Sequence, residues 1–270
     1  MELPLGHPPA LHEFLLQDPG CTDLVSGAVH ATAPLLEDPD PRPVGRLLDD
    51  WAFALAGRMP LPWNLHHALD ELNGYLFREL DLRGDQQTYD DPANAALPLV
   101  IRRRRGLPIS LAILWIGLAR RLGLDAVGIG LPGHFLAGLR TDMGLLCFDP
   151  FHQGRALGEE EAARLVEAAT GGRLAFEPHM LAPIPDRAVL VRLVRNLHVR
   201  FQRREAWTEV LWTCTHLLLL EPRNPESLVA RARAHLKLGD RLQALADLEE
   251  AQRLQPDPSL ADWMQEIRRG

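Results

Sequence analysis

Pro108-Ile109-Ser110-Leu111-Ala112-Ile113-Leu114-Trp115-Ile116-Gly117-Leu118-Ala119-Arg120-Arg121 is the most apolar run of the 270-residue chain, and its reading decides the fold. Proline suits the first turn of a helix, where no backbone N–H is needed. Apolar side chains then point in every direction, the pattern of a helix buried all round. Arg120 and Arg121 fall at the negative end of the helix dipole, and Gly123 offers a left-handed C-cap. The uncharged stretch, residues 109–119, is too short to cross a bilayer, so this helix predicts the centre of a soluble core.

Short strands are expected downstream, at residues 126–131, 134–139 and 145–148, with a turn over residues 140–144. A hairpin centred on that turn pairs positions whose numbers sum to about 283 or 284. His134 then lies opposite Asp149, to within one residue of register. A carboxylate beside an imidazole holds one tautomer and stabilises its cation. The pair reads either as a satisfied buried polar contact or as the base and orienting acid of a nucleophilic triad.

Upstream, Val44, Leu47, Leu48, Trp51 and Leu55 recur at helical spacing, as do Leu65, Leu69, Leu72, Leu76 and Leu80, with Asn64 as an N-cap. Residues 1–43 carry scattered prolines and predict no defined elements. Downstream, Glu159-Glu160-Glu161 opens another helix, and three prolines within residues 177–186 mark a seam. Beyond it Leu220-Glu221-Pro222 recurs as Leu254-Gln255-Pro256, a shift of 34 residues. That is the period of the tetratricopeptide repeat, two antiparallel helices per unit. Two repeats are fewer than usually stand alone, so the tail is expected to pack on the helix that follows Glu159.

A formal charge of −7, from 36 acids and 29 bases, argues against nucleic-acid or anionic-membrane partners. The run Arg102-Arg103-Arg104-Arg105 reads as a solvated face. His66 and His67, adjacent on a helix, diverge and cannot share one ion. Cys21, Cys147 and Cys214 have neither metal nor disulfide spacing, so no metal or cofactor is expected. Their number and the Met1-Glu2-Leu3-Pro4 start, without a basic or apolar leader, fit the reducing cytoplasm.

Five blocks carry a resemblance: Leu72-Asn73-Gly74-Tyr75-Leu76-Phe77-Arg78-Glu79-Leu80, Tyr89-Asp90-Asp91-Pro92-Ala93-Asn94, Arg104-Arg105-Gly106-Leu107-Pro108-Ile109-Ser110-Leu111, Leu131-Pro132-Gly133-His134-Phe135-Leu136 and Phe148-Asp149-Pro150-Phe151. Together they resemble the bacterial SirB-type family, a transglutaminase-like core followed by tetratricopeptide-like helices. The resemblance implies an α+β fold of papain/transglutaminase type, a buried helix on a small antiparallel sheet. It implies a core over residues 44–177 and helical repeats over residues 187–270. In the wider superfamily a cysteine opens the central helix, with histidine and aspartate on the following strands. His134 and Asp149 match the latter two. Pro108 stands near the first, and Ser110 is the nearest hydroxyl.

A hydroxyl without strong base activation is a weak nucleophile, and Cys147 lies on a strand rather than at a helix start. The expectation is therefore a non-catalytic protein-interaction or regulatory module, binding a protein or peptide through its repeats. The alternative is a hydrolase or acyltransferase that uses Ser110, His134 and Asp149 on an amide or ester.

Overall fold

The computed structural model describes residues 10–59 and 64–269; the Met1-Glu2-Leu3-Pro4 start lies outside them. The chain divides into two compact units, Met1–Leu190 and Val191–Gly270.

The first unit is built around the apolar run, which forms a helix over Pro108–Arg121 with Gly123 left-handed behind it at φ +80°. Its elements in chain order are α1 (Ala10–Gln17), α2 (Leu24–Ala31), α3 (Arg42–Ala56), α4 (Leu65–Asn73), β1 (Arg83–Gly84), α5 (Leu97–Arg103), β2 (Arg105–Gly106), α6 (Pro108–Arg121), β3 (Ala126–Ile129), β4 (Leu136–Thr141), β5 (Gly144–Asp149), β6 (Arg155–Leu157), α7 (Glu159–Thr170) and β7 (Pro183–Ile184). A helix α8 (Asp186–Arg203) runs across the division between the units.

Every residue of α6 from Pro108 to Ala119 is buried. Helices α2 and α3 and strands β3 and β4 all pack against it. Removing a side chain of this kind from water is worth about 1.5–3 kcal/mol, which makes α6 the organising element. Trp115 at its middle is fully buried and stacks on Phe148 with ring centroids 5.3 Å apart. Asn64 caps α4 as expected, its Oδ1 accepting from the His67 N–H at 2.8 Å, and the helix continues through a wider turn over Gly74–Glu79.

Strands β6-β5-β4-β3-β7 form one antiparallel sheet in that order. The β4–β5 hairpin closes on a two-residue turn, Asp142-Met143, with Thr141 opposite Gly144 and Ala137 opposite Phe148. Paired numbers therefore sum to 285, not 283 or 284. The turn is shorter than the five residues read from the sequence, because Gly144 takes φ +119° and joins the ladder. Beneath the sheet, Ala162 and Val166 of α7 pack with Ile129, Leu131, Leu136, Cys147 and Leu157, flanked by Leu165, Phe176, Met180 and Leu181. Residues of α7 thus pack on the sheet of their own unit.

Two further corrections concern segments whose prolines suggest irregular chain. Residues 10–31, expected to carry no defined elements, hold α1 and α2. Asp23 caps α2 by accepting from the Ser26 N–H at 3.1 Å. Within the seam, Pro183–Ile184 is the edge strand of the sheet, paired with Ile129 and Gly128. Proline is tolerated at a sheet edge because one side of the strand needs no donor. Among the described residues no helix is long and apolar enough to cross a membrane.

The second unit continues α8 with α9 (Trp207–Leu220), α10 (Pro225–Lys237), α11 (Arg241–Leu254) and α12 (Pro258–Arg269). Each of α9 to α11 packs on its successor. The bounds of α9 and α11 differ by the 34-residue shift at both ends. Ala232, Ala244, Leu248 and Met264 form the core there, and Arg231 on α10 clamps Asp247 on α11 through two bonds of 2.9 and 2.6 Å. The turn before α11 places Gly239 at φ +86°, and its counterpart 34 residues earlier is Glu205 at φ +52°. Side chains with a Cβ are disfavoured there by about 1–2 kcal/mol, partly offset by the extra unfolded-state entropy of glycine. Glu205→Gly should therefore stabilise the chain by about 0.5–1 kcal/mol, and Gly239→Ala should destabilise it by a similar amount. Urea midpoints of both variants against wild type measure this, and a lower midpoint for Glu205→Gly refutes it.

Candidate functional site

Asp149 is the last residue of β5 and has no exposed surface. A buried carboxylate must be hydrogen-bonded to offset its lost hydration, and four donors converge on it. His134 Nε2–H donates to Oδ1 at 2.9 Å, and His152 Nδ1–H donates to Oδ2 at 2.6 Å. The backbone N–H groups of Phe151 and His152 donate to Oδ1 at 3.1 and 3.3 Å. Burial alone would push this carboxyl up. The bonds and charges of His134 and His152 outweigh it and hold the carboxyl below its ordinary value of 3.8.

His134 thus meets Asp149 as the sequence suggests, but from a different place. It lies in the turn before β4, not on the strand. Gly133 makes this possible: its φ is +73°, and a Cβ there would come within 2.1 Å of the Ala169 Cβ on α7. The turn that follows Asp149 is anchored at both ends. Phe148 stacks under Trp115, and Asn73 accepts from Trp115 Nε1–H at 2.9 Å while donating to the Gly154 carbonyl at 3.2 Å. Phe151 stands edge-on to His134, with centroids 5.9 Å apart, and edge-on to Tyr89 at 6.1 Å. His152 lies alongside His134 at 5.9 Å, its side chain 38% exposed.

Ser110 is used differently. Its hydroxyl, fully buried, accepts from the Leu107 N–H at 2.9 Å and faces the carbonyls of Asn94 and Leu107 at 2.7 and 3.1 Å. A hydroxyl has one proton to donate, and here backbone carbonyls take it. Ser110 is the N3 residue of the α6 cap, facing back into the loop that precedes the helix. Asn94 in turn donates to the buried Asp85 carboxylate at 3.0 Å and to the Thr88 carbonyl at 2.8 Å. Asp85 also accepts from Gln87 N–H and Thr88 N–H at 3.0 and 2.8 Å and from the Thr88 hydroxyl. These bonds more than offset burial and hold its carboxyl below 3.8.

The three cysteines are free and buried. Burial pushes the Cys21 and Cys214 thiols up to about 11 and about 12, and raises that of Cys147. Cys147 packs among the sheet residues that face α7. His66 pairs with Asp70 at 3.3 Å on the surface of α4, and half-buried Arg103 pairs with Asp91 at 2.8 Å.

His152 escapes the sequence reading. Its only signal is the i, i+3 spacing from Asp149 across Pro150, which becomes a one-turn helix capped by Asp149 itself. Asn73 and Asn94 are legible only as parts of sequence blocks, and Asp85 falls in none of them.

Residues 43–195 match the Transglutaminase-like superfamily. A UPF0162 protein of Xylella fastidiosa (strain Temecula1) is 39% identical over 196 residues, 72% of this chain and 70% of that one. The UPF0162 protein PA3419 of Pseudomonas aeruginosa is 32% identical over 168 residues, 62% of this chain and 61% of the relative. The human F-box only protein 21 is 26% identical over 63% of this chain, which covers 28% of that protein. No solved structure matches. The chain belongs to the transglutaminase-like superfamily.

Two measurements probe the polar knot at the start of α6. Ser110→Ala leaves the Leu107 N–H and the Asn94 carbonyl with one partner fewer in a dry site, and should cost about 1–3 kcal/mol in a urea titration. A cost near zero would mean the cap is dispensable. Asp85 adds a pH dependence. Its carboxyl titrates lower folded than unfolded, so its contribution is fully present above 3.8 and is lost as pH falls through the lower folded value. Wild type should therefore lose more stability than Asp85→Asn as the pH is taken from above 3.8 down through that lower value, as read from thermal midpoints.

Proposed function

We propose that this transglutaminase-like chain is a non-catalytic member of its superfamily, of SirB type, acting as a protein-interaction or regulatory module. The observation that carries the reading is the state of Ser110. The one hydroxyl near the nucleophile position is bound into the helix cap, and Pro108 occupies the first helical residue. Thiol catalysis needs an accessible thiolate beside an imidazole, and the raised, buried thiols run against it.

On this reading the helices after Val191 are tetratricopeptide-like and supply the surface for a protein or peptide partner. The recurrence of helix bounds at 34 residues supports it, as does the exposure of Leu238 and Leu242 beside the α10–α11 turn. A cytoplasmic setting fits three unpaired cysteines. The hydrolase alternative requires Ser110 to leave its cap and turn to His134. Favouring it is the His134–Asp149 pair, an oriented imidazole of the kind a serine nucleophile uses.

Amine incorporation into a glutamine substrate, together with hydrolysis of a series of amides and esters, tests the assignment. The expected rates equal the blank and are unchanged in Ser110→Ala and Cys147→Ala. Turnover abolished by Ser110→Ala establishes the hydrolase, and turnover abolished by Cys147→Ala establishes thiol chemistry. The partner surface is tested by retention of a protein partner on immobilised full-length chain. Leu242→Glu should release it, and retention unchanged in that variant removes the α10–α11 turn from the interface.

A further inference from the structure

We propose that His134, Asp149 and His152 form a binding site for one first-row divalent transition-metal ion. The site is independent of whether the protein is catalytic.

A His–Asp pair of the superfamily type needs one imidazole. Here a second imidazole engages the other oxygen of the same carboxylate, and one ligand atom from each of the three residues lies within 4.8 Å of the others. Bonds of about 2.0–2.2 Å from imidazole nitrogen and carboxylate oxygen to an ion put neighbouring donors about 3.0–3.4 Å apart for octahedral or tetrahedral angles. The observed spacings are 2.9 Å for His134 Nε2 to Oδ1 and 2.6 Å for His152 Nδ1 to Oδ2. An ion enters with shifts of a few tenths of an ångström to somewhat under one ångström in each donor.

The ligands are held in advance. Asp149 ends a strand, His134 sits in the turn set by Gly133, and His152 in the turn pinned by Trp115 and Asn73. The N–H groups of Phe151 and His152 already support the carboxylate, the outer-shell role that orients ligands in metal sites. Asp149 and His134 close the inner side, whereas His152 is open to solvent, so water can complete the coordination.

Two neutral imidazoles and one carboxylate carry a charge of −1 and take a divalent ion to +1. Each imidazole would bind the ion as the tautomer that carries its ring hydrogen on the nitrogen facing away from Asp149. Two nitrogens and one carboxylate suit zinc, cobalt(II) or iron(II), and are a poor match for magnesium or calcium, which take all-oxygen sets.

Chelator-treated full-length protein should bind one equivalent of cobalt(II), read from visible d–d bands, and one of zinc(II), read by calorimetry. His152→Gln keeps an N–H for Asp149 but removes the nitrogen ligand. It should fold as wild type by circular dichroism, lose the cobalt bands and weaken zinc binding about 100-fold or more. His134→Gln gives a second reading of the same kind. His66→Ala, which removes the exposed His66–Asp70 pair, should leave binding unchanged. No saturable cobalt or zinc binding, or binding unaltered in both His152→Gln and His134→Gln, overturns the site. Amine-incorporation rates do not enter this test, so its failure is separable from failure of the non-catalytic reading.

Discussion

The Asp149 carboxylate constrains more of this structure than any other single group. It is charged, without exposed surface and hydrogen-bonded by four donors, and removing any one of them leaves a dry, under-paired anion. The requirement reaches outward. His134 must approach from a turn, that turn must contain a left-handed residue against α7, and Phe148 must be held so that the strand ends in the right place. Trp115, at the middle of the buried helix, does the holding. Apolar burial assembles helix and sheet, and the buried charge fixes their detailed register.

A second polar knot lies at the start of the same helix. Asp85, Asn94 and Ser110 tie the residue 85–94 loop to the first turn of α6 through bonds to backbone groups. The Ser110 hydroxyl, two residues beyond Pro108, faces into that loop. The two ends of the site thus differ, with an oriented His134–Asp149 pair at one and a hydroxyl bonded into the helix cap at the other.

Much of the core was legible because it rests on periodicity. The apolar run of residues 108–121, the leucine spacing around residues 44–55 and 65–80, and the 34-residue shift all have direct helical counterparts. The His134–Asp149 contact was legible even though the register was displaced, because turn length moves pairing while the two residues stay within reach. What sequence could not show depends on long-range partners. Helix α2 is buried on nearly all sides and has little amphipathic contrast to detect. Pro183–Ile184 reads as a break and becomes a strand only because β3 offers an edge. His152 takes its direction from a cap supplied by the residue it then contacts.

The short final strand has a consequence for the behaviour of the chain in a crowded cell. An open β-edge is a template on which another polypeptide can add, and long flat edges drive aggregation. Here the β3 side of the sheet ends on two residues, one of them Pro183, which has no N–H to offer an incoming strand. The opposite side ends on the three residues of β6. Neither border gives a second chain enough consecutive donors and acceptors to lengthen the sheet, so the proline that obscures the strand in the sequence also protects the folded protein from edge-to-edge polymerisation.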